Sequence, residues 1–346
     1  MMYSNFNQIT AIALHKVGNK LNEEPFLKSK SLLNLSVDVQ EILVHYFTSH
    51  FKSEEYYHFH HDINLVMNEV YACISAIFDD SFTLLEQSVN IASLLYERSN
   101  HPKIKGGEFY IVYFSDCMLD GKLVDAIGLF KSENRDIFLK IFPQDDSFNI
   151  ESEKGININK LDKGCLIFNT DRESGYRIIV VDNTNRGVEA QYWIDDFLGV
   201  VQRKDDYYKT QNVMTMCKNF VQNELPQHFE VSKADQIDLL NRSVQFFKEN
   251  EEFEMDTFTK EVIVQPEVIA SFDQFKKDFQ EEQEVDSFDN FSISNHAVKK
   301  QSRVFKSVIK LDKNFHIYVH GNRELIEQGT DEIGRKFYKI YYKEEI

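Results

Sequence analysis

A chain of 346 residues that is 42% hydrophobic and 13% aromatic can bury sizeable cores, about two domains' worth at ~150 residues each, and is not a disordered chain. Thirteen glycines and five prolines exclude collagen-like or linker-dominated architectures, and no run approaches the ~18 apolar residues of a membrane span. The 39 basic and 56 acidic side chains give a net charge of −17, which repels phosphate backbones and argues against nucleic-acid binding by the chain as a whole.

From Met1 to Leu14 the sequence is mixed and polar, with no basic stretch leading into an apolar run, so a cytosolic protein is expected. Ile9 to Val17 reads as a strand. Three helical patterns follow, at Val37–His50, Ile63–Phe78 and Phe82–Ser99, with Ser36 and Ser81 at N-cap positions and His101-Pro102 closing the last. From Gly106 the period changes. Phe109 to Phe114 is β-branched and aromatic, Asp120-Gly121 signals a hairpin, and Leu123–Phe130 follows it. Ile137–Phe142, Gly164–Phe168 and Tyr176–Val181 are further predicted strands. Their connections are too short for parallel crossovers, so a largely antiparallel meander is expected. A short helical turn over Tyr192–Gly199, with the chain's single tryptophan, ends this part.

Residues 1–204 thus read as one α+β domain, with N-terminal helices and a mostly antiparallel sheet. Residues 205–288 read as helical, at Tyr208–Leu225, Lys233–Asn250, Met255–Val262 and Glu267–Gln283, with Ser232 and Asp235 spaced as a capping box. Glu281–Asn290 is acidic and polar, as an exposed linker would be. After His296 the strand period returns. Val304–Leu311 and Phe315–Val319 read as a hairpin and Phe337–Tyr342 as a third strand, giving a small C-terminal β-sheet within a segment 289–346. Charge divides unevenly among the three parts. Residues 1–204 carry 20 basic and 29 acidic side chains, 205–288 carry 8 and 19, and 289–346 carry 11 and 8. A polyanion partner should therefore meet the C-terminal segment.

The common catalytic signatures are missing: there is no phosphate-binding loop, dinucleotide fingerprint, nucleophile elbow or H-E-x-x-H. Cys73, Cys117, Cys165 and Cys217 are isolated from one another in apolar or amphipathic stretches, where buried free thiols are the expectation. Asp120-Gly121-Lys122 fits the end of a nuclease metal signature, but turn chemistry already accounts for it. His58, His60, His61 and Asp62 offer zinc-type donors without a complementary cluster elsewhere, so a solvated loop before a helix is expected and no metal or cofactor is assigned. The pairs Asp79-Asp80, Asp145-Asp146, Asp195-Asp196 and Asp205-Asp206 mostly fall at helix starts or loops, and acid near a helix N-terminus complements the dipole.

Lys299, Lys300, Arg303, Lys306, Lys310 and Lys313 are different. They fall within fifteen residues and are opposed only by Asp312. On paired strands Lys306 and Lys310 would share a sheet side with His316, Tyr318 and His320, and with Lys339 and Lys343 of a third strand. Cations mixed with flat rings suit phosphates and exposed bases. The competing reading is the solvated outer face of an ordinary sheet, where lysine is usual.

Three stretches carry a resemblance. Ile12-Ala13-Leu14-His15, the Gly106-Gly107 opening of the hairpin that runs through Phe130, and Asp195-Asp196-Phe197-Leu198-Gly199 are similar to bacterial nucleoid-associated proteins of the NdpA type. The resemblance extends over most of the chain. It implies a cytoplasmic bacterial protein found with the nucleoid, able to associate with DNA and with no catalytic activity attributed to the family. Specific DNA-contacting residues do not follow from it; the six C-terminal cations are read from charge alone. The expected function is a non-catalytic nucleoid-associated protein that binds double-stranded DNA with little sequence specificity. Two alternatives stand beside it. One is an adaptor whose acidic middle docks a basic DNA-processing protein; the other is an unrecognised nucleic-acid enzyme. No membrane partner is expected, and the sequence leaves oligomeric state open.

Overall fold

Runs as apolar as Lys163–Phe168, every residue of which is buried, can exist only where both faces of a sheet are covered. The computed structural model describes residues 3–4, 8–184, 192–282, 288–305, 308–319 and 323–344. Within it the chain divides into two units, Met1–Arg203 and Lys204–Ile346.

The first unit opens with β1 (Tyr3–Ser4), β2 (Gln8–Val17), β3 (Phe26–Leu27), α1 (Val37–Thr48), β4 (Tyr57–Phe59), α2 (Glu69–Asp79) and α3 (Leu84–Arg98). It continues with β5 (Gly107–Leu119), β6 (Lys122–Ser132), β7 (Asp136–Gln144), β8 (Ser147–Gly155), β9 (Lys163–Phe168), β10 (Arg177–Asp182), a π-helical turn over Tyr192–Leu198 and β11 (Val200–Gln202). The main sheet has the order β11-β4-β10-β9-β6-β5-β2-β3, with β1 added beside β5, and all its pairings are antiparallel.

On one face Ala13, Ile111, Ile127 and Ile167 meet Ile74, Ile77, Ile91 and Leu95 of α2 and α3. On the other, Val112, Phe114, Phe130 and Phe168 meet Tyr46 and Phe47 of α1. Phe47 stacks on Phe130 with ring centroids 4.2 Å apart. Both rings are fully buried, so truncating either to alanine costs about 3–5 kcal/mol. The Asp120-Gly121 turn is as expected: Leu119 pairs with Lys122, and the two turn residues have φ of 49° and 76°. The α+β class and the antiparallel sheet stand as read from the sequence.

The second unit contains α4 (Asp206–Asn219), α5 (Leu225–His228), α6 (Lys233–Glu249), β12 (Glu252–Glu254), α7 (Met255–Phe258), α8 (Pro266–Glu282) and β13 (Asn290–Ser292). It then adds α9 (Asn295–Ser302), β14 (Val308–Leu311), β15 (Phe315–Tyr318), β16 (Ile326–Thr330) and β17 (Lys336–Ile340). The capping box at α6 is present: Ser232 Oγ accepts from the Asp235 backbone N–H, and the Asp235 carboxylate accepts from the Ser232 N–H. A phenylalanine-rich core joins the helices. In it Phe253 of β12 stacks on Phe291 of β13 at 4.8 Å, and Val298 of α9 packs in the same core. Segment 289–346 therefore begins inside the core built by 205–288.

Several local expectations differ from the structure. Tyr56–Asp62 is not wholly a loop, because β4 occupies its middle and pairs with both β10 and β11. The N-cap expected at Ser81 lies one residue earlier: the Asp80 carboxylate accepts from the Phe82 N–H, and a 3₁₀ turn precedes α3. The segment after His296 is helix before it is strand. Ser294 caps it by accepting from the Ala297 N–H, and Ala297 and Val298 form its buried stripe. Of the linker expected over 281–290, the first two residues belong to α8 and residue 290 to β13, while 283–287 lie outside the described residues.

Candidate nucleic-acid interface

In a helix the last carbonyls are unpaired and attract cations, and Lys299 and Lys300 occupy the last turn of α9 in that way. Both are exposed, as is Arg303 just beyond the helix end. The Lys300 ammonium also lies 5.7 Å from the centre of the Tyr207 ring, a cation–π distance. Lys306 lies outside the described residues. Lys310 is in β14 and Lys313 in the turn that follows, both exposed.

Strand register decides which side chains accompany Lys310. Lys310 pairs with His316 and Val308 with Tyr318, so these four share one side of the β14–β15 ladder. Lys310, His316 and Tyr318 are exposed on it. The other side is apolar. Ile309 is buried there with Ala234 and Ile237 of α6, and Leu311 and Ile317 are packed against them.

Among the described residues the expected three-stranded C-terminal sheet does not form. β14–β15 and β16–β17 are separate two-stranded ladders. Lys339 of β17 is engaged locally: its ammonium is 3.6 Å from Glu327 and 4.8 Å from the centre of the Tyr341 ring, and the Tyr341 hydroxyl donates to Glu327 at 2.7 Å. The structure thus brings together Lys310, His316 and Tyr318, leaves Lys299, Lys300 and Arg303 at a helix end, and keeps Lys339 with its own acid. Residue 320, the expected third ring on the hairpin face, lies outside the described residues.

The metal-type donors of the first unit disperse. His58 faces across from Val201 on β4, and burial, aided by the Arg203 charge, pushes its imidazole pKa down. His60 Nε2 is 3.4 Å from an Asp62 carboxylate oxygen. Among the described residues no group of three His, Cys, Asp or Glu is arranged to hold a metal ion. His60, Asp62, Glu69, Arg98, Asp195 and Asp196 instead edge an open cavity of about 520 Å³. Partial burial, then the Asp196 charge, pushes the Asp195 pKa up. Asn68 ties this region together. Its amide donates to the carbonyls of Leu198 at 2.9 Å and Gly199 at 3.0 Å, while its oxygen caps α2 by accepting from the Tyr71 N–H. A Cβ on Gly199, whose φ is +59°, would sit 2.6 Å from the Asn68 nitrogen.

Sequence reasoning missed a buried ionic network. Lys131 and Lys163 are both fully buried. Lys131 Nζ is 3.0 Å from the Glu133 carboxylate and donates to the Lys105 carbonyl at 2.7 Å. Lys163 Nζ donates to Asp182 and to Thr184, each at 2.7 Å. Tyr192 lies between them: its ring is 5.1 Å from the Lys163 ammonium and its hydroxyl donates to Glu133 at 3.1 Å. Burial pushes the Lys131 pKa down, against the pull of Glu133, and holds that of the Tyr192 phenol well above its ordinary value. The signal was a lysine at the end of each apolar run, Gly128-Leu129-Phe130-Lys131 and Lys163-Gly164-Cys165-Leu166. Such buried pairs cost desolvation and are poor sources of stability, but removing one partner strands the other.

A family model described as nucleoid-associated protein YejK matches residues 13–334. The chain belongs to this bacterial family, which makes it a nucleoid-associated protein located with the nucleoid. No curated protein matches it. Among the described residues no helix is long and apolar enough to cross a membrane.

Proposed function

We propose that this nucleoid-associated protein binds duplex DNA directly, with little sequence preference, through phosphate contacts from Lys299, Lys300, Arg303, Lys310 and Lys313. The role is non-catalytic and requires no cofactor. One observation carries the reading. In a chain of net charge −17, these five described cations are exposed on α9, on β14 and just past their ends, all within one unit, and Lys310 shares its side of the ladder with His316 and Tyr318. Phosphate contacts position a protein without reading bases, which suits a protein that must act along a whole chromosome.

Each neutralised phosphate releases counterions, so four to six contacts give a slope of log affinity against log salt of about −4 to −5. Gel shifts of the full chain on unrelated duplexes over a salt series measure it. Replacing Lys299, Lys300, Lys310 and Lys313 by Gln should flatten the slope by about 1 per residue and weaken all sequences alike. The same change at the exposed Lys16, Lys30, Lys52 and Lys122 of the first unit alters net charge equally and should do little. Equal weakening by both sets would mean that only overall charge matters.

The second reading, an adaptor that docks a basic DNA-processing protein, is favoured by the 8 basic and 19 acidic side chains of 205–288. A parent chain that never shifts duplex DNA even at low salt would transfer the nucleoid role to it.

A further inference from the structure

The β7–β8 ribbon is the only ladder of the first unit outside its main sheet among the described residues, and its composition is unusual for an exposed element. Register places Ile137, Leu139 and Ile141 of β7 on one side with Phe148 and Ile150 of β8. These five are 69, 70, 62, 72 and 60% exposed. The strands' acids, Asp136, Glu151 and Glu153, fall on the opposite side, where Lys140 lies 3.4 Å from Glu153. The apolar side carries a single charge, Lys154, at the end away from the turn.

We propose that this side of the ribbon is a self-association surface, and that its occupant is the same side of the ribbon of a second copy of the chain. Three observations select a second copy. First, area: five large side chains at this exposure offer on the order of 600 Å² per copy, so two copies together reach about 1,200 Å², the lower bound of a stable specific interface. Second, charge: two chains of net charge −17 repel each other wherever their carboxylates meet, and this is a face from which the strands' carboxylates have been turned away. Third, ribbon physics: a two-stranded ladder that pairs with no further strand among the described residues is marginal in water, and a second ribbon stacked about 10 Å away supplies a second layer. The contact is isologous, with the two-fold axis near the paired Ile141 and Ile150, so that each copy's turn end lies over the other's open end and the two Lys154 side chains are kept apart.

Sedimentation equilibrium of the full chain over a dilution series tests the proposal. The average mass should rise with concentration from 40.7 kDa towards twice that value. The double variant Leu139→Glu/Ile150→Glu, which sets like charges against each other across the axis, should remain at the monomer mass throughout. Because that variant could also disorder the ribbon, an Ile141→Cys chain provides an independent reading. Its thiols lie near the axis and should cross-link into a dimer under mild oxidation. The parent should not cross-link, since Cys117, Cys165 and Cys217 are buried and Cys73 is half-buried. A parent that stays monomeric at every concentration overturns the proposal, as does a double variant that dimerises like the parent. A monomeric parent that floats with anionic lipid vesicles would assign the face to a membrane surface instead.

Discussion

His15 shows what one residue can do inside a sheet. It is 2% exposed, its Nδ1 accepts from the Ser29 backbone N–H at 3.1 Å, and its Nε2 is 3.0 Å from Ser88 Oγ. Accepting at Nδ1 places the ring proton on Nε2, and a second proton would break the bond to Ser29. Burial first, and the Lys28 charge second, lower the pKa from 6.5. Below pH 6.5 the unfolded chain binds a proton that the folded chain refuses, so stability falls as pH drops from 6.5 to the lowered value and is level beyond it. Urea midpoints measured across that window should fall with acid in the parent and fall less in a His15→Gln chain; equal slopes would remove His15 from the account. At this scale the sequence was readable where a side chain bonds within its own turn, as with Ser232 and Asp235. It misled where two neighbours compete for the same cap, as Asp80 and Ser81 do. The partners of His15, Lys131 and Lys163 come largely from distant segments, which no local spacing encodes.

Elements were legible in proportion to how far their own residues dictate them. The β5–β6 hairpin announces itself through Asp120-Gly121, and its turn makes a clean test. Nothing lies within 4 Å of a Cβ added at Gly121, so the cost of Gly121→Ala is the left-handed backbone alone, about 1–2 kcal/mol. A denaturant midpoint lowered by that cost divided by the m-value, with the m-value itself unchanged, is the expected result; no change would mean that the turn relaxes freely. By contrast, β8 was not foreseen, because Ser-Phe-Asn-Ile-Glu-Ser-Glu-Lys is polar enough to pass for loop until β7 is set beside it. α9 was read as the approach to a strand, because its eight residues offer only Ala297 and Val298 as an apolar stripe. That difference matters for the candidate interface: it sets Lys299, Lys300 and Arg303 at a helix end, ahead of the short ladder that carries Lys310.

At the level of the molecule, the division at Arg203/Lys204 means that each unit owns its core. Residues 1–203 expressed alone should therefore fold, with a cooperative thermal transition and the β-rich circular dichroism of the nine-stranded sheet. An insoluble or non-cooperative product would show that the first unit depends on the second. The antiparallel class of the sheet was legible from short connections, but its strand order was not. β4 pairs with β10 and β11, more than a hundred residues further on, through just three residues of its own. Short edge pairings of that kind carry almost no hydrophobic pattern.

The same strand order acts as a clock during synthesis. β4 leaves the ribosome about 140 residues before β11, roughly 7 to 30 s at ~5–20 residues per second. Through most of that interval β5 can fold back on β2 and then receive β6 and β9 in turn, while β4 waits with both edges unpaired until β10 follows. A nascent chain that has emerged only as far as residue 176 would hold β4 with neither neighbour; one that has emerged as far as residue 182 would hold it with one. The last strand to be translated is also the one that closes the sheet's edge, so the unit is finished only as the chain crosses into the second.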